Sequence, residues 1–424
     1  MKTKDFALKG DILYSKNLNK VSEHKDSYLV CVDGKSAGVF KKLPDKYKGI
    51  KIYDYTGKII IPGLVDMHLH APQYIFIGLH MDMKLLDWLN KYTFPAESKY
   101  KNIKFAKEAY DIFVNDLRLT ATTRFSMFAT IHNEATLYLM KELEKEGFKG
   151  YVGKVNMDRN SPKYLIEDTK KSIKDTLSWI EKCKDLKNIK PIITPRFIPT
   201  CTDELMKELS KIMIEYNLPV QSHLSENLSE IDWVKELTPS VSCYEEAYDR
   251  FDMLGTKTNS IMAHYVWPDE KGIKLMKNRN VWVAHSPSSN RNLASGIAPI
   301  SRYLNEGIKV GLATDVAGGS YLSMFRAMED AITTSKIRNC IMDSKYDSVT
   351  IEQSLYLATL GGGEFFGKVG SFDKGYEFDA IVLNERDIPT VLMSKLSVLE
   401  RFERYIYRSH TNVDAKFIAG KKVV

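Results

Sequence analysis

The chain has 424 residues, 44% of them hydrophobic and 27% charged, which is room for one large globular domain plus a smaller one. The net charge of +7 is the balance of 61 basic against 54 acidic residues, with lysines interleaved with acids along stretches such as 170–190, so the charge reads as a solvated face and not as a nucleic-acid surface. No apolar run approaches the ~18 residues that cross a bilayer, the start Met1-Lys2-Thr3-Lys4-Asp5 lacks a signal-peptide core, and the cysteines (Cys31, Cys183, Cys201, Cys243, Cys340) show no Cys-x-x-Cys spacing, which argues for reduced thiols in a cytoplasm.

The first ~60 residues are rich in strand signals. Tyr28–Val32 and Ala37–Phe40 flank the hairpin pair Asp33-Gly34, and Tyr53–Tyr55 and Lys58–Ile61 flank Thr56-Gly57. The C-terminus is similar, with a strand candidate at Phe378–Leu383 and with Ala415–Ile418 and Lys421–Val424 on either side of Ala419-Gly420. Neither end has enough strands to bury a face alone. The two ends are therefore expected to pair into one small β-sandwich, residues 1–61 with 375–424.

Between them, over 62–374, short apolar runs alternate with longer helical stretches. The strand candidates are Leu64–His70, Thr122–Met127, Tyr151–Val155, Pro191–Arg196, Pro219–His223, Ser260–His264, Val281–His285 and Lys309–Thr314. Helix candidates include Asp203–Tyr216, with Leu205, Leu209, Ile212, Met213 and Tyr216 on one face, and Ile351–Leu360, entered through a Thr350/Gln353 capping-box pattern. Eight strand–helix units imply an α/β chain built on a (β/α)8 barrel, whose catalytic groups sit at the C-terminal ends of strands.

The histidines fall at those ends. His68 and His70 are two apart on a strand and so share a face. Taken alone, such a pair is as well explained by two satisfied imidazoles as by two ligands. His223, His264, His285 and Asp315 each close a further apolar run, and this shared placement is what favours a metal site. We assign His68, His70, His223 and Asp315 as ligands of one divalent ion, with zinc expected and ferrous iron as the alternative. An ion so held lowers the pKa of its water to about 7. Asp315 is placed to take a proton from that water, and His264 to hydrogen-bond it or to serve as a fifth ligand. His285 reads either as a residue behind the ligands or as core, and His132 either as pocket wall or as structure. His24, His80 and His410 lie outside the pattern.

Glu226, three residues past His223, is read as a proton shuttle, although taken alone it would read as a helix-start charge. Gln73 and Arg196 have the donors and acceptors to hold a flat, nitrogen-rich substrate, and Phe197 and Trp88 could stack on it, with core packing the equal alternative for Trp88. His132-Asn133-Glu134 lacks the Pro-Cys-x-x-Cys partner of small zinc deaminases. No phosphate loop or Gly-x-Ser-x-Gly elbow occurs. A second metal would usually need a carboxylate or modified lysine on the fourth strand, which instead ends Thr194-Pro195-Arg196-Phe197.

The runs Pro62–Tyr74, Trp88–Glu97, Thr194–Phe197, Gln221–Glu226, Met262–His264 and Thr314–Gly319 together resemble the amidohydrolase superfamily and, within it, the guanine deaminases. Trp88-Leu89-Asn90-Lys91-Tyr92-Thr93-Phe94-Pro95-Ala96-Glu97 is the part not shared by amidohydrolases in general. The resemblance implies a barrel with a small sandwich, one zinc per chain, hydrolysis of guanine to xanthine and ammonia, and commonly a homodimer. It implies metal ligation by His68, His70, His223 and Asp315, proton transfer by Glu226, help at the water from His264, and purine binding by Gln73, Arg196 and Phe197. Tyr265 departs from the family, where a small residue is more usual at that position. The competing expectations are an amidohydrolase acting on a triazine, a pterin or an adenosine-like substrate, and a scaffold protein that has lost its metal.

Overall fold

The structure is a computed structural model and describes residues 5–386, 388–408 and 413–424. The extreme N-terminus (Met1–Lys4) and His410 lie outside the described residues.

The eight strands run Leu64–His70, Thr122–Phe128, Lys149–Gly153, Ile189–Pro191, Val220–Leu224, Ser260–His264, Val281–His285 and Lys309–Leu312. The first four pair in parallel and in sequence order, and so do the last four. A bridge from Ile193 to Val220 joins the two sets. The ring closes where Asp315 N donates to His68 O at 2.9 Å and His70 N to Val316 O at 2.8 Å. Val65, Met67, Ile192, Ile261, Ala263, Trp282, Ala284 and Ala313 fill the interior. That packed floor places all chemistry at the strand C-termini.

Three strand candidates match the observed spans residue for residue: Leu64–His70, Ser260–His264 and Val281–His285. The fourth strand differs most. It breaks after Pro191 and resumes only as Thr194–Pro195, which pairs with Val155–Asn156. The two prolines remove backbone donors and explain the break. The helix Asp203–Glu215 buries Leu205, Leu209, Ile212 and Met213 as its periodicity implies, but Tyr216 is its exposed C-cap and Met206 joins the buried face instead. The capping box at Thr350 forms, with Thr350 Oγ1 accepting from Gln353 N and Gln353 Oε1 from Thr350 N.

Strands from both ends form one seven-stranded sheet in the order Lys421–Lys422, Ala415–Ile418, Ala380–Val382, Lys51–Pro62, Phe6–Asn17, Lys20–Val32, Lys35–Phe40. The sheet curls until its far edge meets the chain entering Ala380, through Ser36 N to Tyr376 O (2.8 Å) and Phe378 N to Gly34 O (2.9 Å). Its two inner faces thus come from one sheet, closed over Phe6, Leu8, Ile12, Leu29, Phe378 and Phe417. Asp33 and Gly34 both have positive φ (50° and 75°), the geometry of a two-residue hairpin turn. Thr56-Gly57 is not a turn. Lys51–Pro62 is a single strand parallel to Phe6–Asn17, and the extra residues bulge where its register shifts.

Buried cations tie the sheet to the barrel: Lys416 Nζ donates to Leu117 O at 3.2 Å, and Arg124 makes the ionic lock. Arg124 on the second barrel strand is 2% exposed and bonds to Asp379 (Nη2 to Oδ1, 3.1 Å) and to Glu377. Asp379 is itself buried, and its Oδ1 also accepts from Ala419 N at 2.8 Å. Removing the guanidinium would strand a buried carboxylate, so Arg124→Leu should destabilise the protein by about 3–5 kcal/mol. Thermal unfolding would read this as a drop in Tm, and an unchanged Tm would mean the lock carries no weight.

Candidate active site

Four strand ends build the site. His68 and His70 project from the first strand, His223 from the fifth, His264 from the sixth, and Asp315 follows the eighth. His68 Nε2 lies 3.1 Å and His70 Nε2 3.6 Å from Asp315 Oδ1. His70 Nε2 and His223 Nε2 are 3.2 Å apart. The three rings stand on the face and edge of Phe128, at centroid distances of 4.7 to 4.9 Å.

For His223 a hydrogen bond settles which nitrogen presents a lone pair. His223 Nδ1 is 2.6 Å from Arg196 O, a pure acceptor, so the proton is on Nδ1 and Nε2 is free to ligate. Burial lowers the pKa of His68, His70 and His223, keeping the imidazoles neutral. Burial pushes Asp315 up, but His68 and His264 outweigh it and hold the carboxyl below its usual value. Both ring nitrogens of His68 and Nδ1 of His70 are buried without a hydrogen-bond partner among the described residues. Buried ring nitrogens without partners, converging with the His223 Nε2 lone pair on a carboxylate held below its usual value, make a set of imidazole and carboxylate donors that fits a divalent cation.

His264 stands in the same cluster and groups with His68 and His223 as a further candidate ligand set. Its Nδ1 is 2.9 Å from Asn290 Oδ1, while Nε2 faces Glu226 Oε2 at 3.4 Å and Asp315 Oδ2 at 3.7 Å. Burial lowers its pKa, but those two carboxylates more than offset that and the net shift is upward. Glu226 is 3% exposed, and burial raises it to about 7. Its Oε1 accepts from Ser295 Oγ at 3.0 Å.

The backbone is strained at these ends. Ser225, His264, Tyr265 and Asp315 all have positive φ (48°, 75°, 46° and 48°) without being glycine. The turn after Asp315 is held by Gly319 N donating to Asp315 O at 2.6 Å. A Cβ on Gly319 would lie 1.8 Å from Thr314 O. Gly319→Ala must therefore push Asp315 out of place. The protein should lose at least 1–3 kcal/mol of stability and hold substoichiometric metal, as Tm and elemental analysis would report; normal values of both would refute the steric argument.

Gln73, Trp88, Arg196, Phe197 and Glu226 line a single cavity with His70, His223, His264 and Asp315, closed by Leu85, Leu89, Glu230 and Leu293; His68 stands behind this lining. All the residues expected to hold substrate are thus brought together, Trp88 included, although Trp88 also packs edge-on against Phe76. His285 is not in the lining. It is buried, and burial lowers it to about 3. His132 also lies outside the cavity, at the start of the helix Asn133–Lys145. Tyr265 points away as well, donating to Glu245 Oε1 and stacking on Tyr303, so its bulk does not shape the pocket wall.

Four neighbours escaped the reading of the sequence. Asn290 and Ser295 orient His264 and Glu226. Glu230 accepts from the backbone N–H groups of Glu226 and Asn227 and from Tyr244 OH. The Asn227-x-x-Glu230 capping box was a readable signal for it. Glu97 bonds to both Gln73 and Arg196.

The profile of the amidohydrolase family matches residues 59–423. The chain is an amidohydrolase of the guanine deaminase family. Guanine deaminase from Dictyostelium discoideum is 34% identical to this amidohydrolase over 98% of the chain and 97% of its own length. The Homo sapiens guanine deaminase is 38% identical over 87% and 83%. A guanine deaminase from C. acetobutylicum, solved with guanine bound in its active site, superposes with a TM-score of 0.96 at 44% identity, covering 99% of this amidohydrolase and 100% of that chain. Among the described residues, no helix is long and apolar enough to cross a membrane.

Proposed function

We propose that this amidohydrolase hydrolyses guanine to xanthine and ammonia. The observation that carries the reading is a single cavity that holds His70, His223, His264 and Asp315, an acid of pKa about 7 and the Gln73–Arg196 pair, in a chain that shares its length with guanine deaminases. His68, His70, His223 and Asp315 would hold one zinc, with ferrous iron as the alternative. A bound ion would supply a water of lowered pKa at this cluster.

The protein's own groups do the rest. Arg196 donates to the carbonyl edge of the purine, Gln73 to its neighbouring edge, and Phe197 and Trp88 wall the ring. Asp315 Oδ2 and His264 Nε2, 3.7 Å apart, face one another across the cluster and take up the proton that the attacking water gives off. Glu226, neutral about half the time near pH 7, donates its proton from the carboxyl to the ring nitrogen beside C2 as that carbon becomes tetrahedral. The resulting carboxylate then accepts the hydroxyl proton and passes it to the amino group, which leaves as ammonia. One water enters and one ammonia leaves, and the proton held by Asp315 and His264 then passes to Glu226, whose Oε2 lies 3.4 Å from His264 Nε2, so that all three groups return to their starting states.

Free thiols, buried at Cys31, Cys183, Cys201 and Cys243 and exposed at Cys340, support a cytoplasmic setting. A homodimer is part of the same reading, supported by the exposed Ile337 and Ile341 on the helix Met324–Ile341, and sedimentation would test it. The function itself is tested by ammonia release from guanine, adenine, cytosine and a triazine. Guanine should be preferred by orders of magnitude. Equal or better turnover of a triazine would transfer the assignment to another amidohydrolase, and a purified protein without transition metal would revive the scaffold reading.

A further inference from the structure

Arg196 is 3% exposed and Glu97 2%. They form a two-pronged pair, Nη1 to Oε2 at 2.6 Å and Nη2 to Oε1 at 3.1 Å. Glu97 Oε1 also accepts from Gln73 Nε2 at 2.9 Å, and Gln73 Oε1 accepts from Ala317 N at 3.2 Å. The ring of Phe94, on the same short helix as Glu97, lies 5.0 Å from the Arg196 guanidinium carbon. Both arms of this frame reach the metal cluster through backbone: the carbonyl of Arg196 accepts from His223 Nδ1, and Ala317 is two residues past Asp315.

From this we infer that Glu97 is a specificity-determining positioning residue, clamping Arg196 and Gln73 into one frame that reads the carbonyl edge of the purine. The inference rests on the guanine reading above. A carboxylate that only neutralised Arg196 would need one contact, whereas Glu97 fixes the plane of the guanidinium and the direction of the Gln73 amide together. Two of the five N–H groups of Arg196 are spent on Glu97, so the remaining ones point in a set direction. A site built to hydrogen-bond a substrate oxygen discriminates strongly against an analogue lacking it, but only while its donors stay aimed.

The test compares guanine with 2-aminopurine, which carries the same C2 amino group but has no C6 carbonyl. In Glu97→Gln, kcat/KM for guanine should fall about 100-fold, mainly through KM, while 2-aminopurine loses less than about fivefold, so that the selectivity ratio collapses by at least tenfold. Glu97→Asp keeps the charge but is one methylene shorter, so it should restore the ratio in part, and it serves as the variant of record if Glu97→Gln does not fold. Parallel losses on both substrates, with the ratio intact, would show a merely structural role and overturn the inference. A wild-type protein that deaminates neither base ends the guanine reading and this inference with it, whereas active wild type with an unchanged ratio in the variants ends the inference alone.

Discussion

Glu226→Gln should lower ammonia release from guanine by about 10³-fold or more, the upper range for a single general acid–base group, because one carboxyl serves two proton transfers in each turnover. The amide keeps the shape and can still accept from Ser295 Oγ, so the pocket should persist. What is lost is titration alone. A rate within tenfold of wild type would remove Glu226 from the mechanism. The same substitution has a stability signature of known sign. Burial raises the folded-state pKa of Glu226 from 4.5 to about 7, so its contribution is full below pH 4.5 and is lost as the pH rises through 7. At pH 8 the wild-type protein, stripped of metal by a chelator, therefore carries a cost of about 3 kcal/mol, taken as some two and a half pKa units, that the amide avoids. Stripped Glu226→Gln should melt above stripped wild type at pH 8, and the gap should close towards pH 4.5. A gap that widened on acidification would contradict this origin.

Removing the cation should have the larger effect on turnover. Without it the attacking water keeps a pKa near 15.7 instead of about 7, so the nucleophile is depleted by many orders of magnitude at neutral pH. Chelation, or His68→Ala, should abolish measurable activity. Elemental analysis should fall from about one metal per chain to none in the chelated protein, and added zinc should restore activity there but not in the variant. Chelation should also lower Tm, because the ion binds only the folded arrangement. Full activity after verified metal removal would refute the site as assigned. Retention of one tightly bound ion by His68→Ala would instead shift the ligand set towards His70, His223 and His264, which the geometry also brings close.

The convergence of His68, His70, His223 and Asp315 was legible because its constraints are local. A histidine pair with period two on a run such as Leu64–His70 faces one way in any sheet, and each partner closes its own apolar run. The eight strands were legible for the same reason, and their spans agree best where no proline intervenes. Thr56-Gly57 misled because a turn dipeptide and a bulge share their chemistry, and only pairing with Phe6–Asn17 distinguishes them. Tyr265 raised a question about the pocket wall that the positive φ at His264 and Tyr265 answers by turning the side chain away.

Periodicity and the placement of the histidines thus determined the barrel, its rim and the residues that gather there. Tertiary structure alone decided who orients whom. Glu97 lies 99 residues from Arg196 in the chain, and Ser295 lies 69 from Glu226. A hydrogen bond depends on a few tenths of an ångström between side chains from separate elements, and no local pattern in the chain encodes that distance.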